Sequence, residues 1–169
     1  KSDTIYTSFK VKKSKFEKLN NSEVIIWTTT PWTIPANKAL AYSKSLKYLI
    51  IKIEDESTFK ERKIIVAETL LKSVLEDCKI KKFKKILEFL GKEFEGTICS
   101  HPLSNIGYNY DIPMFEARFV TTEQGSGIVH CAPSHGPDDF NLCLNNGIKA
   151  LETVDGDGKY TKNVPLFEG

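Results

Sequence analysis

Residues Trp27 to Asn37 read WTTTPWTIPAN, and the end of a strand can be inferred from this stretch alone. The β-branched and aromatic residues of EVIIWTTT, Glu23–Thr30, are typical of a strand. Pro31 lacks a backbone N–H and holds the residue before it in an extended conformation, so the ladder of hydrogen bonds stops there. The sequence therefore predicts a strand that ends on three threonines.

The three threonines place hydroxyl groups at the end of this strand. Because side chains alternate across a strand, we expect Thr28 and Thr30 on one face and Thr29 on the other. Beyond the last ladder bond, hydroxyls and unpaired carbonyls can face a ligand. Threonine is also a common strand residue, so the triplet taken alone is more simply explained by strand propensity.

A second informative stretch, GSGIVHCAPSHGPDDF, covers Gly125 to Phe140. Its glycines let the backbone approach a ligand closely, and a strand predicted over Gly127–Ala132 places His130 near its end. Pro137 suits the first position of a helix, so Asp139 falls in the first turn, where partial positive charge favours an ionised carboxylate. Such a carboxylate can receive a substrate ammonium group. Plain helix capping for Asp139 and a structural, hydrogen-bonded role for His130 are the alternatives.

Elsewhere, short β-rich runs dominate. Further strands are predicted at Ile5–Val11, Tyr48–Ile53, Lys63–Val66, Thr97–His101 and Met114–Thr121, a helix is predicted at Glu68–Asp77, and Phe83–Phe89 fits either a helix or a strand. The helix that starts near Pro137 is expected to bury Phe140, Cys143 and Leu144 and to end at Gly147. DGDGKY, Asp155–Tyr160, lacks the calcium-loop pattern and is predicted to be a turn. The fold class expected is a β-rich α+β domain, with a barrel-like sheet and peripheral helices.

Length and composition set limits on the class of protein. The chain has 169 residues, of which 40% are hydrophobic and 27% charged, as in a soluble globular domain with a core rather than a disordered segment. No apolar run approaches the length of a membrane span. The chain begins at Lys1 and its only methionine is Met114. We therefore expect residues 1–169 to be a single domain excised from a longer protein.

Charge does not by itself indicate a partner. The net charge of +2 is too small to imply nucleic-acid binding, but lysines cluster in FKVKKSK, Phe9–Lys15, and in KIKKFKK, Lys79–Lys85. Such clusters attract phosphates, and they also occur as ordinary solvated surface. Both interpretations stay open.

Cysteine spacing and the common catalytic motifs exclude several classes of site. The chain has no CxxC pair and no histidine at zinc-finger spacing, so we expect no metal site. Scattered cysteines fit thiols packed in the core of a protein from a reducing compartment. They are Cys78, Cys99, Cys131 and Cys143. Cys131 and His135 could form a nucleophile pair, but no family signature surrounds them, and no GxSxG elbow, phosphate loop or dinucleotide fingerprint is present.

Together, WTTTPWTIPAN and GSGIVHCAPSHGPDDF resemble the editing domain of isoleucyl-tRNA synthetase, an insertion in the connective peptide of that class I enzyme. HPL at His101–Leu103 and DIPM at Asp111–Met114 are also similar to that family, and the matching segments extend from Val24 to Glu152. The related valyl and leucyl domains typically carry an arginine after two threonines, where this chain has Thr30, so the isoleucyl branch is favoured. Ser126 stands where the family more often has threonine.

The resemblance implies hydrolytic proofreading of valine attached to tRNA(Ile). It implies that Asp139 holds the α-ammonium group, that His130 and Trp32 form the wall that blocks isoleucine, and that Asn37 supports the pocket or the adenosine end. The ester carbonyl, the terminal ribose and a water would be positioned by Thr28, Thr29 and Thr30. Either His130 activates the water or a neighbouring ribose hydroxyl orients it. The second is favoured, because a histidine that acts as a size gate need not be basic.

The resemblance also implies the partners and the surroundings. The 3′ end of tRNA(Ile) carrying valine and the rest of the parent synthetase would be partners, in the cytoplasm and without a membrane. No metal or cofactor is expected, since ATP serves only the synthetic site, whose HIGH-type motif is missing; KKSK at Lys12–Lys15 only superficially resembles the KMSKS loop. A valyl- or leucyl-type editing domain and a passive tRNA-binding module are the alternatives. Cleavage of the adenylate before transfer is a further open activity.

Overall fold

The chain folds into a curved sheet with short helices at its edges. The computed structural model describes residues 3–54 and 61–169. The strands and α-helices in that part are β1 Ile5–Lys13, β2 Glu23–Thr28, β3 Ala39–Tyr42, β4 Lys47–Glu54, β5 Glu61–Ala67, α1 Leu71–Asp77, β6 Phe83–Leu90, β7 Ile98–Ser100, β8 Asp111–Glu116, β9 Ile128–Cys131 and α2 Pro137–Asn145. The predicted β-rich α+β class is confirmed.

All nine strands of the described residues belong to one sheet, in the order β6-β4-β5-β2-β1-β7-β8-β3-β9. Most neighbouring pairs are antiparallel, whereas β2 pairs with β5 and β3 with β8 in parallel. Strands β2 and β9 are far apart in this order and nevertheless contact each other. The sheet therefore curls like a barrel without closing, and the end of β2 comes to lie beside β9.

The middle strands are apolar on both faces because each face packs against a separate core. Ile50 and Ile65 belong to the interior cluster, whereas their chain neighbours Ile51 and Ile64 belong to a second cluster together with Val74 of α1. Successive side chains of a strand point to opposite faces, so a continuous run such as LII or KIIVA fills both layers. Burying one such side chain stabilises the fold by roughly 1.5–3 kcal/mol.

The segment before β9 is fixed against the body of the sheet. The Ser126 hydroxyl donates to the carbonyl of Ile25, and the Tyr48 hydroxyl donates to the carbonyl of Gly127 at 2.6 Å. Gly127 has φ +83°, and a Cβ there would lie 2.4 Å from the Cβ of Ala67. Only glycine fits this approach. These contacts determine where β9 starts and so where His130 lies.

Several predicted elements differ in their bounds. Strand β2 ends at Thr28 and not Thr30, because the Thr28 Oγ1 accepts the Thr30 N–H at 3.0 Å and turns the chain before the proline. Strand β8 covers Asp111–Glu116 rather than Met114–Thr121. The predicted helix at Glu68–Asp77 begins with a 3-10 turn before α1.

Other expectations are resolved by burial and pairing. Phe83–Leu90 is a strand paired with β4. The buried stripe expected on α2 was wrong for two of its three residues, because only Cys143 is buried, while Phe140 is 41% and Leu144 54% exposed. The turn at Asp155–Tyr160 is confirmed, since the Asp155 carboxylate accepts backbone N–H groups from two later residues of that turn. In the described ranges, we find no helix of the length and apolarity that crossing a bilayer requires.

Candidate active site between strands β2 and β9

A cavity of about 320 Å³ lies where the end of β2 meets β9 and the start of α2. Five of the seven predicted site residues line it: Thr28, Thr29, Thr30, His130 and Asp139. Trp32 and Asn37 are not among the lining residues. Its other lining residues are Trp27, Thr33, Phe119, Thr121, Gln124, Gly125, Ser126, Gly127, Ile128, Val129, Ala132 and His135.

The threonine segment presents hydroxyls in a fixed local turn. Thr28 is buried, and its Oγ1 lies 3.3 Å from the Oγ1 of Thr30 as well as accepting the Thr30 N–H. The 3-10 helix Pro31–Ala36 follows at once, with proline in its first turn. Thr29 is exposed, and its hydroxyl has no hydrogen-bond partner within the described residues. The hydroxyls of Thr29 and Thr30 can therefore form hydrogen bonds with a ligand.

A buried network of hydrogen bonds determines which ring nitrogen of His130 carries the proton. Asn37 Nδ2 donates to the carbonyl of Ala39 at 2.9 Å, which fixes the orientation of the amide, and lies 2.6 Å from His130 Nδ1. Nδ1 must then accept, so Nε2 carries the proton and donates to Thr33 Oγ1 at 2.8 Å. Thr33 in turn donates to the carbonyl of Thr30 at 2.8 Å. Asn37 thus acts on the cavity through His130.

His130 is neutral at physiological pH. Burial lowers its pKa to about 4, and electrostatic interaction with His101 and His135 contributes less. Both ring nitrogens are already hydrogen-bonded to protein groups. The imidazole therefore offers the cavity a wall and not a free lone pair.

Asp139 reaches back from the first turn of α2 to the end of β9. Its Oδ2 accepts the backbone N–H of Ala132 at 3.0 Å, and its second oxygen has no hydrogen-bond partner in residues 3–54 and 61–169. Burial raises the pKa of this carboxyl, the Ala132 N–H opposes the rise, and the nearby charge of Asp138 adds to it. A half-buried carboxylate with an unused oxygen is suited to bind a cation that compensates for its lost hydration.

Two residues of the C-terminal segment that follows α2, Thr153 and Tyr160, form hydrogen bonds at the rim of the cavity. His135 lines the cavity, and its Nε2 lies 2.7 Å from the Thr153 hydroxyl. The ring of Trp32 meets the His135 ring edge-on, with the centroids 4.9 Å apart, and the backbone carbonyl of Trp32 accepts from the Tyr160 hydroxyl. Trp32 is 52% exposed, so it lies at the rim beside the cavity.

Five polar residues that line the cavity were not among the predicted site residues, namely Thr33, Thr121, Gln124, Ser126 and His135. Thr33 lies three positions after Thr30 in WTTTPWT, and residues three apart lie on the same side of a 3-10 helix, so predicting that helix would have identified it. His135 was considered only as a partner of Cys131. Cys131 is fully buried and burial raises the pKa of its thiol well above the usual range, which does not fit an activated nucleophile.

No cluster of three or more His, Cys, Asp or Glu side chains suited to a metal ion occurs within the described ranges. The expectation of a site without metal or cofactor stays a prediction. A larger cavity of about 770 Å³ lies on the outer face of the sheet between β1, β5 and the end of α1, and none of the predicted site residues lines it.

Comparison with known proteins gives close sequence relatives. No protein-family model matches the chain. Over all 169 residues it is 72% identical to part of the isoleucine--tRNA ligase of Pelagibacter ubique (strain HTCC1062), covering 100% of this chain and 19% of that protein. It is 40% identical to the isoleucine--tRNA ligase of Gluconobacter oxydans (strain 621H), over 99% of this chain and 18% of that protein. The chain spans about a fifth of the length of these curated relatives.

Solved structures show the same fold at lower sequence identity. The crystal structure of GlLeuRS-CP1 has a TM-score of 0.67 and 20% identity, covering 86% of this chain and 63% of that chain. The editing domain of the P. falciparum cytosolic leucyl-tRNA synthetase has a TM-score of 0.62 and 16% identity, covering 86% of this chain and 65% of that chain. At these identities the likeness concerns the fold alone.

Proposed function

The chain is homologous to a segment of the isoleucine--tRNA ligases and has the fold of a synthetase editing domain, and on that premise we propose that it hydrolyses the ester between valine and tRNA(Ile). The single observation that carries the proposal is that the Asp139 carboxylate and the threonine triplet line the same cavity. An acidic group for an ammonium and hydroxyls for an ester then face one bound substrate. Partial-length homology alone would not indicate which chemistry this segment performs.

Each polar group of the cavity has a proposed role. The unused oxygen of Asp139 holds the α-ammonium group of the amino acid. Thr28 holds Thr30 in place, while the Thr29 and Thr30 hydroxyls contact the ester, the terminal ribose and a water. Neutral hydroxyls and backbone groups placed where charge develops are an established way to stabilise the transition state of acyl transfer.

Selectivity for valine over isoleucine arises because the wall of the cavity between β2 and β9 excludes the larger side chain. A missing methylene changes binding by only about 1–3 kcal/mol, a limit for which isoleucine against valine in this synthetase family is the usual example. An editing cavity, separate from the synthetic site of the parent enzyme, can be too small for isoleucine. It then rejects isoleucine by steric clash, which discriminates more strongly than the loss of one methylene contact. We assign the wall to His130, because Asn37 and Thr33 fix its ring and so prevent it from turning aside. Trp32 would extend that wall at the rim.

The proposal includes the surroundings of the domain. The partners are the 3′ end of tRNA(Ile) carrying valine and the remainder of a parent isoleucine--tRNA ligase in the cytoplasm, and editing uses no cofactor. The net charge of +2 gives little electrostatic attraction for tRNA. We therefore expect the chain alone to need high concentrations of tRNA.

Deacylation of mischarged tRNA tests the proposal directly. Valyl-tRNA(Ile) and isoleucyl-tRNA(Ile) are incubated with excess chain, and loss of the radiolabelled amino acid is followed in a single turnover. We expect the valyl ester to be hydrolysed and the isoleucyl ester to be spared. Threonyl-tRNA(Val) and norvalyl-tRNA(Leu) serve as parallel mischarged substrates, because preference for one of these esters would indicate a valyl- or leucyl-type domain. Binding of tRNA without hydrolysis of any ester would indicate a passive module and refute the proposal.

A further inference from the structure

The proposed reaction requires that the attacking water lose a proton, and none of the roles assigned above provides an acceptor for it. Of the side chains that line the cavity, the imidazoles of His130 and His135 and the carboxylate of Asp139 are the ones that can serve as a general base. A side chain that takes the proton is therefore one of these three.

Two of them are already committed. Both ring nitrogens of His130 are hydrogen-bonded inside the protein, and accepting a proton at Nδ1 would break its bond with Asn37. Asp139 has one oxygen on the Ala132 N–H and needs its second oxygen and its negative charge for the substrate ammonium. Neither group can take up a proton without losing the contact that defines its role.

His135 is different because its ring is held at one nitrogen only. Nε2 lies 2.7 Å from the Thr153 hydroxyl, and Nδ1 has no hydrogen-bond partner among residues 3–54 and 61–169. The edge-on contact with Trp32 restrains the ring plane. Burial lowers the pKa of His135, so the imidazole is neutral at pH 7 and its unpaired nitrogen can accept.

We propose that His135 is the general base of the hydrolysis and that Thr153 positions it. The inference rests on the proposed function. Nε2–H donates to Thr153, and Nδ1 removes a proton from water as the water oxygen forms a bond to the ester carbonyl carbon. When the bond between that carbon and the ribose oxygen breaks, the imidazolium returns the proton to the departing ribose oxygen. The products are the free amino acid, as its carboxylate after release of a proton to solvent, and tRNA with its hydroxyl restored.

The pH dependence follows from the groups around the ring. His130 interacts electrostatically with His135, and the Asp139 carboxylate lines the same cavity. The Tyr160 hydroxyl bonds the carbonyl of Trp32, whose ring packs against His135. The reaction uses neutral His135, whose pKa lies below the ordinary value of 6.5. The rate should therefore be steady near neutral pH and fall as the pH drops through that lowered pKa.

Removal of the base tests the assignment. In the 169-residue chain, His135→Gln keeps a group that can bond Thr153 but cannot accept the proton, and we expect kcat for valyl-tRNA(Ile) to fall about 10²- to 10⁴-fold, the usual contribution of a general base. The acid limb of the pH profile should disappear, and added imidazole should partly restore the rate of His135→Ala. A wild-type rate and pH profile in His135→Gln would overturn the proposal.

Thr153→Val tests the positioning role separately. It removes one hydroxyl at nearly constant volume, so we expect a lower kcat with little change in KM. Thr161→Val is the matched control, because its hydroxyl bonds the carbonyl of Glu152 in the same segment and not a cavity residue. Equal kcat values in the two variants would contradict the positioning role.

The rival for proton removal is the ribose hydroxyl next to the ester. We expect wild-type chain to hydrolyse a substrate lacking that hydroxyl, with the same dependence on His135. Complete loss with this substrate, together with an unaffected His135→Gln on normal tRNA, assigns the role to the ribose and overturns ours. If wild-type chain hydrolyses no valyl ester, the proposed function itself fails, and this result is distinct from one in which only the His135 variants are unaffected.

Discussion

The charge of Asp139 can be removed with little disturbance of the fold, which makes Asp139→Asn the most informative substitution. The amide oxygen of asparagine can still accept the Ala132 N–H that Oδ2 accepts at 3.0 Å. The negative charge is lost, and with it the proposed bond to the substrate ammonium. A hydrogen bond to a charged group contributes about 1.5–3 kcal/mol, so kcat/KM should fall about 10- to 150-fold. The loss should lie mainly in KM, because the ammonium is bound in both the ground and the transition state.

Stability separates this effect from damage to the fold. The folded-state pKa of Asp139 is raised, so its ionised form destabilises the fold at neutral pH and its loss should not lower the free energy of unfolding. Asp139→Ala instead strands the buried Ala132 N–H and should cost about 1–3 kcal/mol. Chemical denaturation of both variants measures this difference. Asp138→Asn, in the same helical turn but exposed, is the matched control, and equal deacylation by the two Asn variants would refute the ammonium role.

Four further outcomes follow from the same geometry. His130→Ala should hydrolyse isoleucyl-tRNA(Ile), and continued sparing of that ester would show that the gate lies elsewhere. Thr30→Ala should lower turnover of the valyl ester, and a wild-type rate would exclude the threonines from the chemistry. Asn37→Ala should lower the free energy of unfolding by about 1–3 kcal/mol for each stranded polar group, with exposed Asn105→Ala as the control in urea denaturation. His101 and His130 both have pKa values lowered by burial to about 4, so the unfolded chain binds more protons below pH 6.5 and stability should decline from pH 6.5 to 4; a flat urea midpoint over that range would contradict the assignment.

Local chemistry explains why part of the site was predictable. Pro31 was expected to end the ladder and Pro137 to start a helix. Strand β2 already ends at Thr28 and Pro31 opens the 3-10 helix that follows, whereas Pro137 starts α2 as expected. Those two restraints place Thr28 at the end of one strand and Asp139 in a first helical turn. The common cavity then depends on β2 and β9 meeting, and this was inferred from the family resemblance and not from the residues.

Long-range contacts explain what was missed. Strand β3, Ala39–Tyr42, is buried at all four positions, so it has no alternation of polar and apolar residues for sequence analysis to detect. The bond between Asn37 and His130 joins residues 93 positions apart, and the bond between His135 and Thr153 depends on how the C-terminal segment packs. The sequence around these four residues contains no pattern that indicates which distant residue each will contact. The Thr28 hydroxyl that shortens β2 is a local feature, but it competes with a strand propensity that the same threonine supplies.

A crystal structure of the chain with a non-hydrolysable valyl-adenosine mimic is the most direct measurement. We expect the ligand ammonium within hydrogen-bond distance of the free oxygen of Asp139, the ester analogue against Thr29 and Thr30, and the valine side chain against His130. A mimic bound instead in the outer cavity beside α1, or bound between β2 and β9 with its ammonium away from Asp139, would contradict the account.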